Sequence, residues 1–459
     1  MASEKETKDP YLERIRQLKP EQLESALAEF RRLLEQSAAA NLRSCVSCGL
    51  CAETCHYFQT TREVEAIPAY KLKLVISVFK KLSTLSGGLS KKSGADSVLD
   101  SQDVERWVDS LFGRCTLCGR CALNCTMGIN ITRMIRMART TLASIDLVPP
   151  DLQSTVTTAV EKGNNMGIPR EEWLDTLGWL SEELQREVDD PQAQLPVDKP
   201  GTKLLYTVNP REPKFFPLSL LATAKIFYAT GESWTVSSDH YDVTNYGLYS
   251  GNDKEAALIS SRLRESMAKL EAKTLVLGEC GHGFNSNRWE APEWLASEDK
   301  SEVKSVIQVI ADYIRQGHIK LDPSRNHKRV TLHDPCNLVR LGGIIEEQRY
   351  ILRHAVADFV EMSPNREKNY CCGGGGGQLA MTRYAKRRLE AGKIKADQIR
   401  KTGAKIVVAP CHNCIDQLSE LNREYKLGVE VKTVSETVAD ALVIERKERG
   451  RRDRPESGS

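Results

Sequence analysis

The stretch NYCCGGGGGQ, residues 369–378, sets two adjacent cysteines against five consecutive glycines. Sulfur lies on both sides of it. Cys336 stands upstream in HDPC, and Cys411 and Cys414 stand downstream in PCHNC, giving the pattern C-x34-CCG-x37-CxxC. The chain has 14 cysteines in 459 residues, clustered at metal-ligand spacing. In a chain of this length, that clustering points to ligand duty and away from a disulfide scaffold.

The same chemistry appears near the amino terminus. CVSCGLCAETC supplies Cys45, Cys48, Cys51 and Cys55, and CTLCGRCALNC supplies Cys115, Cys118, Cys121 and Cys125. Both runs read C-x2-C-x2-C-x3-C. This spacing lets one tight loop point three thiolates at a cubane [4Fe-4S] cluster, while the fourth cysteine serves the other cluster. Cys45, Cys48, Cys51 and Cys125 are therefore assigned to one cluster, and Cys115, Cys118, Cys121 and Cys55 to the second. Zinc sites would not need two identical four-cysteine runs.

Composition bounds the rest. The chain is 40% hydrophobic and 28% charged with a formal net charge of +3, values that fit a folded protein of two or three domains and imply no nucleic-acid partner. No apolar run is long enough to span a membrane, and MASEKETKDP lacks the apolar core of a secretory signal. The protein is expected in the cytoplasm, touching a membrane only through a partner. Residues 10–42 carry apolar residues at helical spacing, with a break near Pro20 and amphipathic faces suited to packing on the ferredoxin region or to docking. The stretch between the two cysteine runs is also helical in pattern, with a glycine and serine break. Beyond residue 201, short apolar strands alternate with helical patterns, the signature of a parallel α/β arrangement.

That last region contains a degenerate repeat. KLLYTVNPR answers RVTLHDPC, TNYG answers YCCG, and TLVLGECGHG answers KIVVAPCHNC, at shifts of 125, 126 and 131 residues. Asn209, Pro210 and Arg211 then match Asp334, Pro335 and Cys336. Asn245 and Tyr246 match Cys371 and Cys372, Cys280 matches Cys411, and Gly283 matches Cys414. The fold expected is multi-domain α+β, in five parts. Residues 1–145 form an α-helical di-cluster ferredoxin domain, and 146–200 a helical connector and linker. Residues 201–300 form a degenerate first α/β half, 301–445 a complete second half, and 446–459 a disordered basic tail.

These motifs resemble the CCG domain of heterodisulfide reductases and their relatives. His56 and Thr126 stand where compact bacterial ferredoxins usually have proline, which resembles instead the α-helical ferredoxin of succinate dehydrogenase and heterodisulfide reductase. GESWTVSSDHYDVTNYGLY, GECGHGF, HDPCNLVR and NYCCGGGGG are similar to the heterodisulfide reductase D-like K subunit of the Dsr membrane complex, also called the Hme D subunit. They are equally similar to the iron–sulfur subunit of the tetrahaem cytochrome c membrane complex. The resemblance implies that Cys336, Cys371, Cys372, Cys411 and Cys414 hold one noncubane [4Fe-4S] cluster that cleaves a disulfide. Gly373, Gly374 and Gly375 would then permit the sharp turn and the close approach of cluster or substrate. It further implies a catalytic subunit on the inner face of the membrane, joined to a quinone-reactive cytochrome b-type subunit and other redox subunits. The small sulfur carrier DsrC is the implied substrate. His282, His333 and His412 are candidates for protonating the departing thiolate, and each is equally readable as a residue supporting a ligand. Cys280 reads as a substrate-facing thiol, a sixth ligand, a relic or an inert buried cysteine. Two other classes stay open: an electron relay serving a flavin partner in glycolate, lactate or glycerol-3-phosphate oxidation, and a zinc-holding assembly module.

Overall fold

The computed structural model describes residues 9–85, 98–295 and 301–444. The basic tail at 446–459 and the glycine and serine break after residue 85 lie outside the described residues.

The amino-terminal region is helical. Proline opens the helices Pro10–Arg16 and Pro20–Leu33, where its missing N–H has no intrahelical partner to lose. Pro20 thus starts a second helix, and Gln36–Ser44 makes a third that delivers the chain to Cys45. Pro68–Leu85 and Ile131–Ala143 complete the scaffold around the two cysteine runs. The second of these is capped by Asn130, whose side chain accepts from the Arg133 N–H. Their apolar faces share one core with Phe30, Leu72, Trp107 and Ile135.

The segment expected as a connector is divided between the two regions. Leu152 and Val156 on helix Pro150–Lys162 join the ferredoxin-side core. Trp173, Leu177, Leu180 and Leu184 on helix Arg170–Val188 join the core of the α/β region.

That α/β region holds two four-stranded parallel sheets of the same topology. The first comprises β1 (Leu204–Thr207), β2 (Trp234–Thr235), β3 (Thr274–Leu277) and β4 (Glu302–Ser305), in the order β2-β1-β3-β4. The second comprises β5 (Val330–Leu332), β6 (Phe359–Val360), β7 (Ile406–Val408) and β8 (Glu430–Lys432), in the order β6-β5-β7-β8. Leu204 registers with Thr274 in one, and Val330 with Ile406 in the other. Their central strands, LLYT, TLVL, VTL and IVV, are buried throughout, as parallel strands covered on both faces must be. Because β4 pairs with β3, the first half runs past residue 300, the limit read from sequence.

The two central corners face each other. Cys280 and Cys411 each stand in extended backbone just before a helix, and each sends its N–H two residues back, to Gly278 and Ala409. The Gly281 N–H then donates to Cys411 Sγ at 3.5 Å, and the His412 N–H donates to the Glu279 carbonyl at 3.0 Å. A near-repeat in sequence has become two half-domains meeting at their cysteine-bearing corners.

Candidate metal centres

Three cysteine-lined cavities lie among the described residues. One is walled by Cys45, Cys48, Cys51 and Cys125, and a second by Cys55, Cys115, Cys118 and Cys121. The fourth cysteine of each run therefore faces the first three of the other. The loops that carry them turn through left-handed backbone at Ser47 and Gly49, and again at Leu117 and Gly119. Cys48 is exposed, whereas the second cavity lies deeper, with the buried Lys71 beside it. Lys71 Nζ donates to the carbonyls of Ala66 and Arg114, anchoring a cation near four thiols. A Cys125→Ser protein is accordingly expected to lose the absorption and EPR signal of the group at Cys45, Cys48 and Cys51, and to keep that at Cys115, Cys118 and Cys121. Iron analysis with EPR of each variant checks this; the opposite pattern would refute the crossed arrangement.

The third cavity is lined by Cys336, Cys371, Cys372, Cys411 and Cys414, together with Gly375, Asn337, Asn413, Tyr249, His282 and Pro335. Cys336 and Cys371 lie 3.9 Å apart at sulfur, and Cys372 and Cys414 lie 3.6 Å apart. All five are buried. Buried thiols so close, with no disulfide between them, fit a shared metal group. Hydrogen bonds with the Cys371 and Cys414 thiols hold Cys372 well below the usual thiol range. Cys411 is lowered to about 7 by Cys414, with the Gly281 N–H assisting.

The glycines work in two ways. Gly373 has φ +106°, and its N–H donates to Cys371 Sγ at 3.4 Å, so the turn that pairs the cysteines also solvates one of them. Gly374 and Gly375 lie outside the left-handed region but are closely packed: a Cβ would overlap Gln417 at 2.9 Å at the former and press on the Thr116 carbonyl at 3.3 Å at the latter.

The histidines divide. His282 lines the cavity; its Nδ1 lies 3.3 Å from Cys280 Sγ, and burial pushes it down to about 3, so it is a neutral imidazole. His333 is fully buried with neither ring nitrogen hydrogen-bonded, and its nearest ring nitrogen lies within 4.8 Å of Cys372 and Cys414 sulfur. His412 turns away toward Glu212, at 3.4 Å; burial opposes its charge, but that carboxylate raises it to about 9. Cys280 is 1% exposed and outside the lining of the cavity, and burial pushes its thiol well above the usual range. Its sulfur faces His282 and, at 3.8 Å, the Asn209 amide.

Sequence reasoning missed several side chains here. Lys395 is fully buried, donates to Asn369 Oδ1 and feels the thiols of Cys371, Cys372 and Cys414; burial lowers it to about 8. Asn337 and Asn413 adjoin cysteines of the motif and hold Tyr249 and Tyr246.

The second and third cavities are neighbours. Cys118 packs among the cysteines of the third, and Arg340 donates to the carbonyls of Cys118, Glu367 and Asn369. Arg120 ties the Lys368 carbonyl to that of Thr54 and lies 3.8 Å from the centre of the Tyr370 ring.

Comparison with known proteins agrees with these cavities. Residues 41–129 match a 4Fe-4S dicluster domain, and residues 330–419 match the cysteine-rich CCG domain. The chain carries both a 4Fe-4S dicluster domain and a CCG domain. This CCG protein is 28% identical to the Hdr-like menaquinol oxidoreductase iron-sulfur subunit of Archaeoglobus profundus, over 92% of its own length and 83% of the relative's. It is 27% identical to the D subunit of the dihydromethanophenazine:CoB–CoM heterodisulfide reductase of Methanosarcina mazei, covering 88% and 95% of the two chains. A 24% identity with the EtfAB:quinone oxidoreductase of Syntrophomonas wolfei covers 83% of this chain and 55% of the relative.

Proposed function

We propose that this CCG protein is the catalytic iron–sulfur subunit of a quinone-linked membrane complex that interconverts a disulfide and two thiols. In the reducing sense, the sulfur–sulfur bond breaks, two electrons arrive and two protons give two thiols. The reading rests on one arrangement: the five-cysteine cavity touches the Cys115–Cys121 loop on one side and meets an open cleft on the other. An electron relay needs the first contact and has no use for the second. The runs at Cys45 and Cys115, with their crossed fourth cysteines, would hold two cubane [4Fe-4S] clusters, and the five CCG cysteines one noncubane [4Fe-4S] cluster. When bound, these groups supply one-electron carriers and a sulfur-binding metal site. The exposed Cys48 marks the end nearest a redox partner, which this reading takes to be a cytochrome b-type membrane subunit. Among the described residues no helix is long and apolar enough to cross a membrane, and this reading assigns membrane attachment to partner subunits. A sulfur carrier of the DsrC type, bearing a disulfide or trisulfide, suits the reading as substrate.

The likeness to EtfAB:quinone oxidoreductase supports a second reading, in which the CCG site only relays electrons from a flavin partner. Low-temperature EPR on anaerobically purified protein separates the two. About twelve irons per chain with a paramagnetic signal that appears only on adding a disulfide substrate is the expected result. Full iron with no such signal would transfer catalysis to a partner.

Lys395 gives this reading a quantitative test. The buried ammonium stabilises negative charge at the CCG site, so Lys395→Met is expected to make the potential of the group held there more negative by about 70–100 mV, for an effective dielectric of about 20 across roughly 7–10 Å. Redox titration followed by EPR reads the shift; an unmoved potential would show that Lys395 only packs.

A further inference from the structure

The half that lacks a full cysteine set supplies a wall of the site belonging to the half that has one. Asn245 and Tyr246 stand where the second half carries its paired cysteines, and the helix Gly247–Ser250 follows at once. Tyr249 on that helix is 1% exposed and lines the five-cysteine cavity, its ring 5.3 Å from that of His282. Asn337, next to Cys336, donates to Tyr249 Oη at 2.8 Å and lies 3.7 Å from Cys336 Sγ. A phenol whose oxygen accepts still has its own O–H to give. Among the described residues, that O–H meets no protein acceptor.

Tyr249 and Asn337 also line a second space, the broad cleft between helix Ile131–Ala143 and the segment running from Asn285 to Trp294. They are thus the partition between bulk solvent and the cysteines. Each arginine lining the cleft has a carboxylate partner, Arg136 with Asp253, Arg133 with Glu35 and Arg32 with Glu29, so shape and the exposed Trp289 characterise its mouth more than a net charge does.

We propose that this cleft admits the disulfide and that Tyr249, held by Asn337, gives its phenolic hydrogen bond to the sulfur that enters the cavity. The proposal rests on the disulfide reading above. A disulfide sulfur is a weak acceptor and gains negative charge as the bond breaks, so a fixed donor at that point favours cleavage more than binding. The narrow partition excludes a bulky folded surface and admits a disulfide that is either small or carried on a slender peptide arm.

Binding to the oxidised holoprotein, without reductant, tests this by calorimetry. Two probes distinguish the sources: 2-hydroxyethyl disulfide, and a peptide of about ten residues closed by a terminal disulfide. Iron content is measured on each variant to show that the clusters are retained. Tyr249→Phe, which removes one oxygen, is expected to weaken both probes about threefold to tenfold and to lower kcat more than it raises KM. Glu293→Trp, at an exposed position on the mouth, is expected to weaken the peptide about tenfold and the small disulfide less than twofold. Variants that bind both probes as the wild type does would overturn the inference and leave the disulfide reading standing. A wild type that neither binds nor reduces either probe would overturn both.

Discussion

On the proposed disulfide reading, Gly376→Ala is expected to reduce disulfide turnover about a hundredfold while leaving the iron content of the two amino-terminal cysteine runs unchanged. Gly376 has φ +64°, and a Cβ there would lie 2.6 Å from the backbone C and Cα of Thr116. Two costs follow. The left-handed conformation alone disfavours a side chain by roughly 1–2 kcal/mol, and the overlap is with backbone, which cannot swing aside as a side-chain tip can. Thr116 lies between Cys115 and Cys118, so the glycine loop must retreat from the cysteine loop it packs on. A displacement of about 1 Å at a reacting site is enough for a hundredfold loss. The control is Gly343→Ala, which has a similar φ of +82° but nothing within 4 Å of the added carbon. It isolates the conformational cost and is expected to leave turnover within about threefold. Stopped-flow reduction of the CCG site by electrons delivered to the amino-terminal runs measures the effect. If Gly376→Ala and Gly343→Ala behaved alike, close contact of the two loops would not be what Gly376 provides.

The contrast between legible and hidden residues follows from how each carries its information. Cysteine spacing is local: C-x2-C-x2-C-x3-C can be read in eleven letters, and the crossing of its fourth cysteine into the other run's cavity follows from the geometry of a tight loop. The repeat was legible because strand and corner are contiguous, as in KIVVAPCHNC, where β7 runs into Cys411 at the start of helix His412–Tyr425. The sheet limit at residue 300 was misplaced because β4, with the pattern EVKS, has little apolar character of its own and is a strand by pairing with β3.

The polar wall of the site was hidden for another reason. Tyr249 and Asn337 meet across 88 residues, and tyrosine and asparagine are common types with no diagnostic spacing. One signal was available for Asn337 and Asn413: each adjoins a cysteine of the motif, where an amide side chain is well placed to support a ligand or its neighbours. Lys395 sits in KIKADQIRKT, a helix whose other lysines and arginines are ordinary solvated charges, and nothing in that pattern singles it out.

Arg139 had a signal that a helical reading could have caught. In ITRMIRMARTTLA it falls four residues after Ile135 and three before Leu142, on the apolar stripe and not on the charged face of Arg133. The structure buries it completely, 0% exposed, with no carboxylate hydrogen-bonded to it among the described residues. Its guanidinium instead donates to four carbonyls: Leu111 and Cys115 in the ferredoxin region, Tyr249 in the first α/β half and Gly376 in the glycine loop of the second. Burial lowers it to about 10, so it stays charged at neutral pH. A buried cation costs several kcal/mol, and an apolar replacement relieves that cost. Against this stand four orphaned acceptors at about 1–3 kcal/mol each, spread over three segments that this one side chain joins. The second sum is larger, and Arg139→Met is expected to destabilise the protein by about 3 kcal/mol. Arg139→Lys, with three donors for four carbonyls and no planar fork, is expected to recover only part of the loss. Hydrogen exchange gives the decisive readout: faster exchange at residues 376–378 and 111–115 together would show both regions released by one substitution, whereas unchanged exchange would mean that the apolar contacts around helix Ile131–Ala143 hold them without it.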